Sequence, residues 1–327
     1  MSYTVSVKAI ILSAGLATRL NEISQTVPKA LLPICGTTII ERIIGQLVKN
    51  NITEIVVNTH HLGDKIKEKL GDGSSYGAKI TYLEEEKLLG TGGSIKAAED
   101  LLKDGDEPIL SINGKLIFDF DFEGLLKFHK ARKSEATLAL REDNEMIWGT
   151  GIAVGGRGNI VSFLGDNVGP APTIRNLMFT GIQIFNPEFI DRIPDSDNER
   201  CIARTAGKEL FNEGKLYGYI SRDYWWECST EERYLQAIND ILDQKDRSLS
   251  DLTSYVDESA KIDSSAKIDK KVWIGKNVQI KKDVVIGPFT QICDNAVIED
   301  DVSIKNAVVF ENTIVKEKKI YNKVVSA

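Results

Sequence analysis

The chain has 327 residues, 42% hydrophobic and 27% charged, with a formal net charge of −7. This composition is ordinary for a soluble globular protein, and the length predicts two domains. The negative charge argues against nucleic acid or an anionic membrane as a partner, so a nucleotide site would need local cations. The N-terminus lacks a signal-peptide pattern, no apolar run approaches the roughly 20 residues of a membrane span, and the four cysteines are scattered. We therefore expect a cytoplasmic protein with reduced cysteines.

An apolar run at residues 7–12 predicts a buried first strand. It leads into Ser13-Ala14-Gly15-Leu16-Ala17-Thr18-Arg19-Leu20, whose small residues leave backbone N–H groups available to an anion. Arg19 and, further on, Lys29 can bring positive charge to the same place. This order predicts a cradle for a nucleoside triphosphate. The alternative is a plain strand–turn–helix junction with a surface arginine and lysine.

Up to about Asp243, short apolar runs alternate with helical patterns. The predicted strands are residues 55–58, 79–82 and 108–112, and the predicted helices are residues 39–49, 64–70 and 94–102. This alternation predicts an α/β fold with a mostly parallel, doubly wound sheet and helices on both faces. Ligands bind at the carboxyl ends of such strands, where Gly15 and Asn113-Gly114 would lie.

After a polar stretch at residues 243–250, the period of the sequence changes. Isoleucine recurs every six residues at Ile262, Ile268, Ile274, Ile280, Ile286, Ile292, Ile298 and Ile304, with Val256 and Phe310 extending the series. A sixfold apolar repeat predicts a hexapeptide β-helix. We expect domains at residues 1–246 and 252–327, and we expect Lys316-Glu317-Lys318-Lys319 to end the stack with charge.

This region also resembles the hexapeptide-repeat domain of acyltransferases, and those enzymes commonly use a histidine base within the repeat domain. The histidines of this chain, His60, His61 and His129, all precede the repeat. We therefore interpret the repeat domain as an oligomerisation or regulatory module.

The loop at residues 13–20, taken with Pro28-Lys29-Ala30-Leu31-Leu32-Pro33, resembles the signature motifs of the sugar-1-phosphate nucleotidylyltransferases. The likeness runs from about Lys8 to Ala237. It implies a Rossmann-like nucleotidyltransferase domain followed by a left-handed parallel β-helix. It also implies a reaction in which an NTP and a sugar 1-phosphate give an NDP-sugar and pyrophosphate. By this resemblance, Ala14 to Thr18 and Asn113 contact the nucleotide, and Arg19 and Lys29 hold its phosphates.

Further segments fit the same family. Leu89-Gly90-Thr91-Gly92-Gly93 resembles the loop against base and ribose, while Gly149 after Trp148 and Gly181 in Phe179-Thr180-Gly181-Ile182 resemble sugar-side residues. Glu85 could accept hydrogen bonds from guanine, which favours GTP; the alternative is a solvated strand end. Segments at residues 58–62 and 70–74 resemble the branch of mannose-, heptose- and muramate-type enzymes. The expected product is therefore GDP-mannose or GDP-heptose.

Four positions depart from the family pattern. Ala17 stands where a glycine is common, the usual second lysine is missing near Phe163-Leu164-Gly165-Asp166, and the two metal-binding aspartates correspond to Lys115 and Glu227. The resemblance implies Mg²⁺ as cofactor, yet a charged lysine cannot be its ligand. Two interpretations remain open: Lys115 replaces the charge of the metal in an active enzyme, or the protein is a nucleotide-sugar sensor or regulatory subunit.

Overall fold

The computed structural model describes residues 7–16, 18–20, 23–149, 151–195, 200–244 and 254–326. The strands before the repeat are β1 (Lys8–Leu12), β2 (Pro33–Ile34), β3 (Thr37–Thr38), β4 (Glu54–Thr59), β5 (Lys79–Glu84), β6 (Ile109–Asn113), β7 (Leu116–Phe118), β8 (Ala136–Glu142), β9 (Ile152–Val154), β10 (Ile160–Phe163), β11 (Asp166–Asn167), β12 (Ile174–Phe185), β13 (Leu216–Ile220) and β14 (Trp225–Glu227). The α-helices are α1 (Ile23–Thr26), α2 (Ile39–Lys49), α3 (Gly63–Leu70), α4 (Gly90–Ala97), α5 (Glu99–Leu102), α6 (Phe122–Arg132), α7 (Ala206–Asn212) and α8 (Glu231–Leu242). Short 3₁₀ helices cover Thr18–Leu20, Lys29–Leu31, Ser74–Tyr76 and Pro187–Arg192.

The chain forms two compact units that do not follow chain order. Unit 1 comprises Met1–Leu16, Ile43–Gly114 and Phe120–Asp223, and unit 2 comprises Ala17–Arg42, Lys115–Asp119 and Tyr224–Ala327. Unit 2 thus joins two early segments to the repeat region. The predicted polar linker lies largely outside the described residues, as does the boundary between residues 246 and 252, so the division at 1–246 and 252–327 stays a prediction.

Unit 1 is built on a ten-stranded sheet with the path β11-β10-β9-β12-β6-β1-β4-β5, to which β8 and β13 add through β12. The strands β6, β1, β4 and β5 are parallel, as predicted, and β12 runs antiparallel to β6, β8 and β9. Strand β1 is an almost uninterrupted apolar run because neighbours flank it on both sides. The carboxyl ends of β1, β4 and β6 therefore meet along one edge.

The predicted helix at residues 39–49 is confirmed as α2, which begins where the backbone N–H of Thr38 donates to Glu41 Oε2 at 2.8 Å. The helix predicted at residues 94–102 is wrong as a single element, because α4 starts at Gly90 and α5 starts at Glu99. Glycines disfavour helix formation, so propensity does not indicate a helix start at Gly90. In the structure Glu85 Oε2 accepts from the N–H of Leu89, the residue before α4, at 3.0 Å.

The repeat region in unit 2 is a parallel β-helix. Its strands are β15 (Tyr255–Val256), β16 (Lys261–Ile262), β17 (Lys267–Ile268), β18 (Val272–Ile274), β19 (Gln279–Ile280), β20 (Val285–Ile286), β21 (Thr290–Ile292), β22 (Val297–Ile298), β23 (Ser303–Val309), β24 (Ile314–Val315) and β25 (Lys319–Val325). Ile274 pairs with Ile292, Ile280 with Ile298 and Ile286 with Ile304, so three hexapeptides make one coil. Their side chains form a continuous buried core, as the predicted β-helix requires.

Two expectations about the end of the repeat are wrong. Val309, rather than Phe310, pairs with Ile292, because the step from Ile304 to the next inward position is one residue shorter. The charged run does not end the stack either, since β25 begins at Lys319 and places Ile320 beside Ile304. A lysine-rich turn can therefore interrupt the sixfold pattern while parallel pairing continues. Within the described residues, no helix has the length and apolar character that crossing a bilayer requires.

Candidate active site

In unit 1 the carboxyl ends of the parallel strands are tied together by Asn58, the residue before the last of β4. Its Oδ1 accepts from the N–H of Ser13 at 2.5 Å, and its Nδ2 donates to Ser94 Oγ at 3.0 Å. The N–H of Gly114 donates to Leu12 O at 2.9 Å. Ser13 Oγ, by contrast, is buried and makes no hydrogen bond within the described residues.

Glu85 is a buried residue that shapes this edge of the sheet. Its Oε1 accepts from Asn58 Nδ2 at 2.8 Å and from Ser94 Oγ at 2.5 Å, while Oε2 accepts from the N–H of Leu89 at 3.0 Å. Both carboxylate oxygens are thus engaged within the protein. This geometry makes Glu85 a structural link between β4, β5 and α4, and its pairing with guanine stays a prediction.

The glycines of the predicted nucleoside loop are explained by close packing inside unit 1. A Cβ on Gly90, where φ is +67°, would lie 2.7 Å from Arg200 Cβ, and one on Gly92 would lie 3.1 Å from Arg200 O. The N–H of Gly92 donates to Arg200 O at 2.8 Å, and Thr91 Oγ1 accepts from the N–H of Ile202 at 3.0 Å. Residues 200–202 therefore lie directly against the loop.

Two of the predicted residues, Asn113 and Gly181, meet at a bulge in β12. The register of β12 against β8 shifts between Phe179 and Gln183. Gly181 lies in that shift with φ +82°, and a Cβ there would lie 2.4 Å from Asn113 Nδ2. Only glycine fits this position without displacing Asn113. The structure thus brings a predicted nucleotide-side residue and a predicted sugar-side residue together.

Gly149, the other sugar-side candidate, lies in a loop held by Asp143. This buried carboxylate accepts backbone hydrogen bonds from Ile147 at 2.9 Å, Trp148 at 2.9 Å and Gly149 at 3.1 Å. Gly149 itself is exposed, with φ +67°. Asp143 was missed from the sequence, although a carboxylate shortly before a glycine-containing loop is a recognisable signal for such a turn.

The glycine-rich loop is divided between the two units. In unit 1, Ala14 is buried while Gly15 and Leu16 are exposed. Among the described residues, apart from the two chain neighbours, no heavy atom lies within 4 Å of a Cβ built on Gly15. In unit 2, Thr18 and Arg19 are exposed in the short 3₁₀ helix. Ala17 lies outside the described residues.

Unit 2 gathers the predicted cations around Lys29. Burial, followed by the nearby positive charges of Lys115 and Arg19, lowers the pKa of Lys29 to about 8, although Glu227 and Cys228 act in the opposite direction. Positive charge has thus accumulated around an ammonium that is partly withdrawn from water. An anion bound here would relieve the repulsion between the cations.

Beside Lys29, the two residues expected at the metal positions form an ion pair. Lys115 Nζ lies 2.9 Å from Glu227 Oε2, and Arg233 Nη1 lies 3.6 Å from Glu227 Oε1. Burial alone would raise the pKa of the Glu227 carboxyl, but Lys115, a hydrogen bond from Ser229 and the charge of Arg233 hold it below its ordinary value. Glu227 is therefore ionised and already compensated.

Backbone pairing fixes this ion pair. Strands β7 and β14 are antiparallel, with Glu227 opposite Leu116, and the N–H of Cys228 donates to Lys115 O at 2.9 Å. The resemblance had placed Lys115 and Glu227 in one locale, and the structure confirms their proximity. Arg233 was missed, although it follows Glu227 by six residues at the start of α8.

The residues at this place do not fit a protein-held Mg²⁺. The ion needs several oxygen ligands at short distance, whereas the position beside the Glu227 carboxylate is taken by an ammonium. Within the described residues, His, Cys, Asp and Glu side chains form no cluster of three or more with metal-binding geometry.

Comparisons with known proteins identify the family of this chain. The nucleotidyl transferase family profile matches residues 8–244. A mannose-1-phosphate guanylyltransferase from Mycobacterium tuberculosis is 29% identical over 242 residues, which is 73% of this chain and 66% of that protein. A mannose-1-phosphate guanyltransferase beta-A from Xenopus laevis is 27% identical, covering 71% of this chain and 63% of that protein.

A UTP–glucose-1-phosphate uridylyltransferase from Synechocystis is 28% identical, covering 73% of this chain and 64% of that protein. The matched region thus spans slightly less than two thirds of each of these three relatives. A solved Bacillus anthracis structure, described as a glucose-1-phosphate thymidylyltransferase, superposes with a TM-score of 0.59 at 23% identity. It covers 71% of this chain and 93% of that one, and it supports the fold alone.

Proposed function

The chain belongs to the nucleotidyl transferase family, and from this premise we propose that it makes an NDP-sugar from an NTP and a sugar 1-phosphate. A phosphate oxygen of the sugar 1-phosphate attacks the α-phosphorus of the triphosphate. The bond from the α-phosphorus to the bridging oxygen of the β-phosphate breaks, and pyrophosphate leaves. The protein's part in this reaction is to align two anions and to stabilise the charge that moves onto the leaving group.

The accumulation of positive charge around Lys29 is the observation that carries this proposal. Lys29, Arg19 and Lys115 belong to one compact unit, and their mutual repulsion contributes to the lowered pKa of Lys29. In the proposed reaction Arg19 and Lys29 hold the triphosphate. Lys115 supplies, next to the triphosphate, the positive charge that a protein-held metal ion would otherwise supply. No step of the proposed reaction therefore needs a metal ligand from this chain.

Almost all the predicted site residues that belong to unit 1 are uncharged. We propose that the N–H groups around Gly15 face phosphate, that Gly90 to Gly92 and Asn113 contact the nucleoside, and that Gly149 and Gly181 contact the sugar. GTP with mannose 1-phosphate is the favoured pair, because relatives from Mycobacterium tuberculosis and Xenopus laevis are named for that activity. GTP with a heptose 1-phosphate is the alternative from the sequence, and the Synechocystis relative adds UTP with glucose 1-phosphate.

The test is release of pyrophosphate by the full chain, measured for GTP, UTP, dTTP and ATP against mannose, glucose and heptose 1-phosphates. Each pair is measured with MgCl₂ and with EDTA. We expect turnover to be highest with GTP and mannose 1-phosphate. Turnover with another pair would overturn the assignment of substrates but keep the reaction.

A second candidate is a binding protein that senses a nucleotide sugar. The Lys115–Glu227 ion pair favours it, because this pair replaces two carboxylates in a family that generally depends on a divalent metal. A sensor would bind a GDP-sugar in calorimetry and release no pyrophosphate with any pair. We also propose self-association of the chain, which sedimentation at several protein concentrations would reveal.

A further inference from the structure

One face of the β-helix has outward side chains that are buried. Trp273, Gln291 and Val308 lie in register across β18, β21 and β23, between inward core residues. Gln291 and Val308 are fully buried, whereas Gln279 and Val285, at outward positions of the other two faces, are exposed. An outward position of a β-helix becomes buried only when another part of the protein covers it. Trp273 is half-buried, and we call Trp273, Gln291 and Val308 together the docking face.

The segment that follows Lys29 is one of the parts that cover the docking face. Residues Cys35 and Gly36 form the two-residue turn between β2 and β3, with φ values of 41° and 85°. The amide of Gln291 holds the entry to this turn at two points, because Nε2 donates to Pro33 O at 3.1 Å and Oε1 accepts from the N–H of Cys35 at 2.7 Å. A Cβ on Gly36 would lie 2.4 Å from the ring of Trp273.

Helix α8 holds the same segment from a second direction. The hydroxyl of the fully buried Tyr234 donates to Pro33 O at 2.5 Å, so this carbonyl accepts from both α8 and the docking face. The neighbouring residue on α8, Arg233, lies 3.6 Å from Glu227 and donates to Ser229 Oγ at 3.1 Å. Pro33 and the Lys115–Glu227 pair are thus fixed by adjacent residues of one helix.

Short backbone links connect Pro33 to Lys29. The N–H of Leu32 donates to Lys29 O at 3.2 Å, and the N–H of Ile39 donates to Leu32 O at 3.2 Å. Lys29 therefore lies in a hydrogen-bonded turn, and the chain that follows it is anchored on the β-helix through Pro33 and Cys35. A β-helix that served oligomerisation alone would need no contact with the segment that carries Lys29.

We propose that the docking face supports the Lys29 segment, and that Gln291 is a positioning residue for the Lys29 ammonium. The proposal rests on the proposed function only where it concerns binding of the triphosphate. The claim about position concerns unit 2 itself and can be measured without turnover.

Gln291→Leu removes both hydrogen bonds to the turn, together with the one from Nε2 to Cys293 Sγ, at similar volume. Gln279→Leu is the matched control on an exposed face. Lys29 is acylated by an amine-reactive ester at a series of pH values, and mass spectrometry measures the extent of acylation at each pH. The pH midpoint of this reaction reports the environment of the Lys29 ammonium, which Arg19, Lys115, Glu227 and Cys228 set. In Gln291→Leu we expect the pH midpoint for Lys29 to rise toward that of an ordinary lysine. The dissociation constant for GTP should increase about tenfold, because two buried hydrogen bonds that hold the segment are lost. Gln279→Leu should match the wild type in both measurements.

A well-folded Gln291→Leu variant with an unchanged Lys29 midpoint and unchanged GTP affinity would overturn the proposal. Should Gln291→Leu fail to fold, Tyr234→Phe removes only the second hydrogen bond to Pro33, and it should shift both measurements less and in the same direction. No shift in Tyr234→Phe then counts against the proposal. A wild type that turns over no substrate refutes the proposed function alone, because the Lys29 midpoint does not depend on turnover.

Discussion

At the scale of single residues, the Lys115–Glu227 ion pair determines whether the protein can hold a divalent metal at this place. An ammonium donates hydrogen bonds and carries a fixed positive charge, but it accepts no metal. Because the two side chains lie 2.9 Å apart and Arg233 is close by, Glu227 is compensated within the protein. A protein-held divalent cation would have to displace Lys115.

Replacing Lys115 by aspartate should create a metal site. Lys115→Asp places two carboxylates together, so the variant should be less stable than wild type without metal and should be restabilised by Mg²⁺. Thermal unfolding with and without MgCl₂, together with calorimetric titration with Mn²⁺, measures this. The control Lys115→Met should gain no response, because it removes the ammonium without adding a carboxylate. Equal Mn²⁺ binding by the wild type and Lys115→Asp would contradict the account of the ion pair.

The lowered pKa of Lys29 predicts a pH dependence for triphosphate binding. Burial, with Lys115 and Arg19, lowers this pKa to about 8, so Lys29 loses its charge as the pH rises through that value. The affinity for GTP should therefore fall between about pH 7 and pH 9. Calorimetry across this range tests the expectation, with Lys29→Met as a control that should bind more weakly and depend less on pH. A GTP affinity that stays constant in the wild type would contradict it.

The same shift has a consequence for stability. The unfolded chain holds the Lys29 proton up to the ordinary pKa of 10.5, while the folded chain releases it near 8. Between these values the unfolded state binds more protons, so the contribution of Lys29 to the free energy of unfolding rises with pH.

At the scale of elements, the bulge in β12 places Gly181 against Asn113, and both residues are predicted to contact substrate. Gly181 has φ +82° and would place a Cβ 2.4 Å from Asn113 Nδ2. Gly165 has φ +89°, and a Cβ built on it would have no heavy atom of the described residues within 4 Å beyond its chain neighbours. Gly181→Ala should therefore cost about 2–4 kcal/mol, from backbone strain plus steric overlap. Gly165→Ala should cost only about 1–2 kcal/mol, from strain alone. Urea unfolding followed by circular dichroism compares them, and equal losses would show that Asn113 does not constrain Gly181.

The β-helix should be least sensitive to substitution at its first coil. Ile292 is fully buried, so Ile292→Ala should cost roughly 2–5 kcal/mol through lost burial and a cavity. Ile262 is 37% exposed at the same kind of repeat position, and Ile262→Ala should cost about half as much or less. Denaturant unfolding of the two variants measures this gradient. A loss at Ile262 as large as that at Ile292 would indicate that the first coil is covered.

At the scale of the whole molecule, the elements with a regular local pattern were predicted from the sequence. The isoleucine repeat identified the β-helix because its period is fixed by the three-sided coil, and α2 and the parallel strands followed from their apolar spacing. The exceptions have physical causes. The shortened step at Val309 and the turn before Ile320 keep parallel pairing while they break the sequence period.

The parts of the site that could not be predicted depend on contacts between distant residues. The occupied carboxylate of Glu85, the guanidinium of Arg233 beside Glu227 and the buried amide of Gln291 have no local signature. A weak signal existed for the docking face, since Trp273 and Val308 are large apolar residues at outward positions. Local patterns predict an element, and packing between segments decides which of its faces is covered.

Pyrophosphate release from GTP and mannose 1-phosphate is the measurement that tests the central claim most directly. It compares the wild type with Lys29→Met and with Lys267→Met, an exposed lysine of the β-helix. We predict turnover by the wild type and Lys267→Met, and a loss of at least about 100-fold in Lys29→Met, because a charge next to the triphosphate is removed. Absence of turnover in the wild type, or full activity in Lys29→Met, would contradict the claim that this cation cluster supports nucleotidyl transfer.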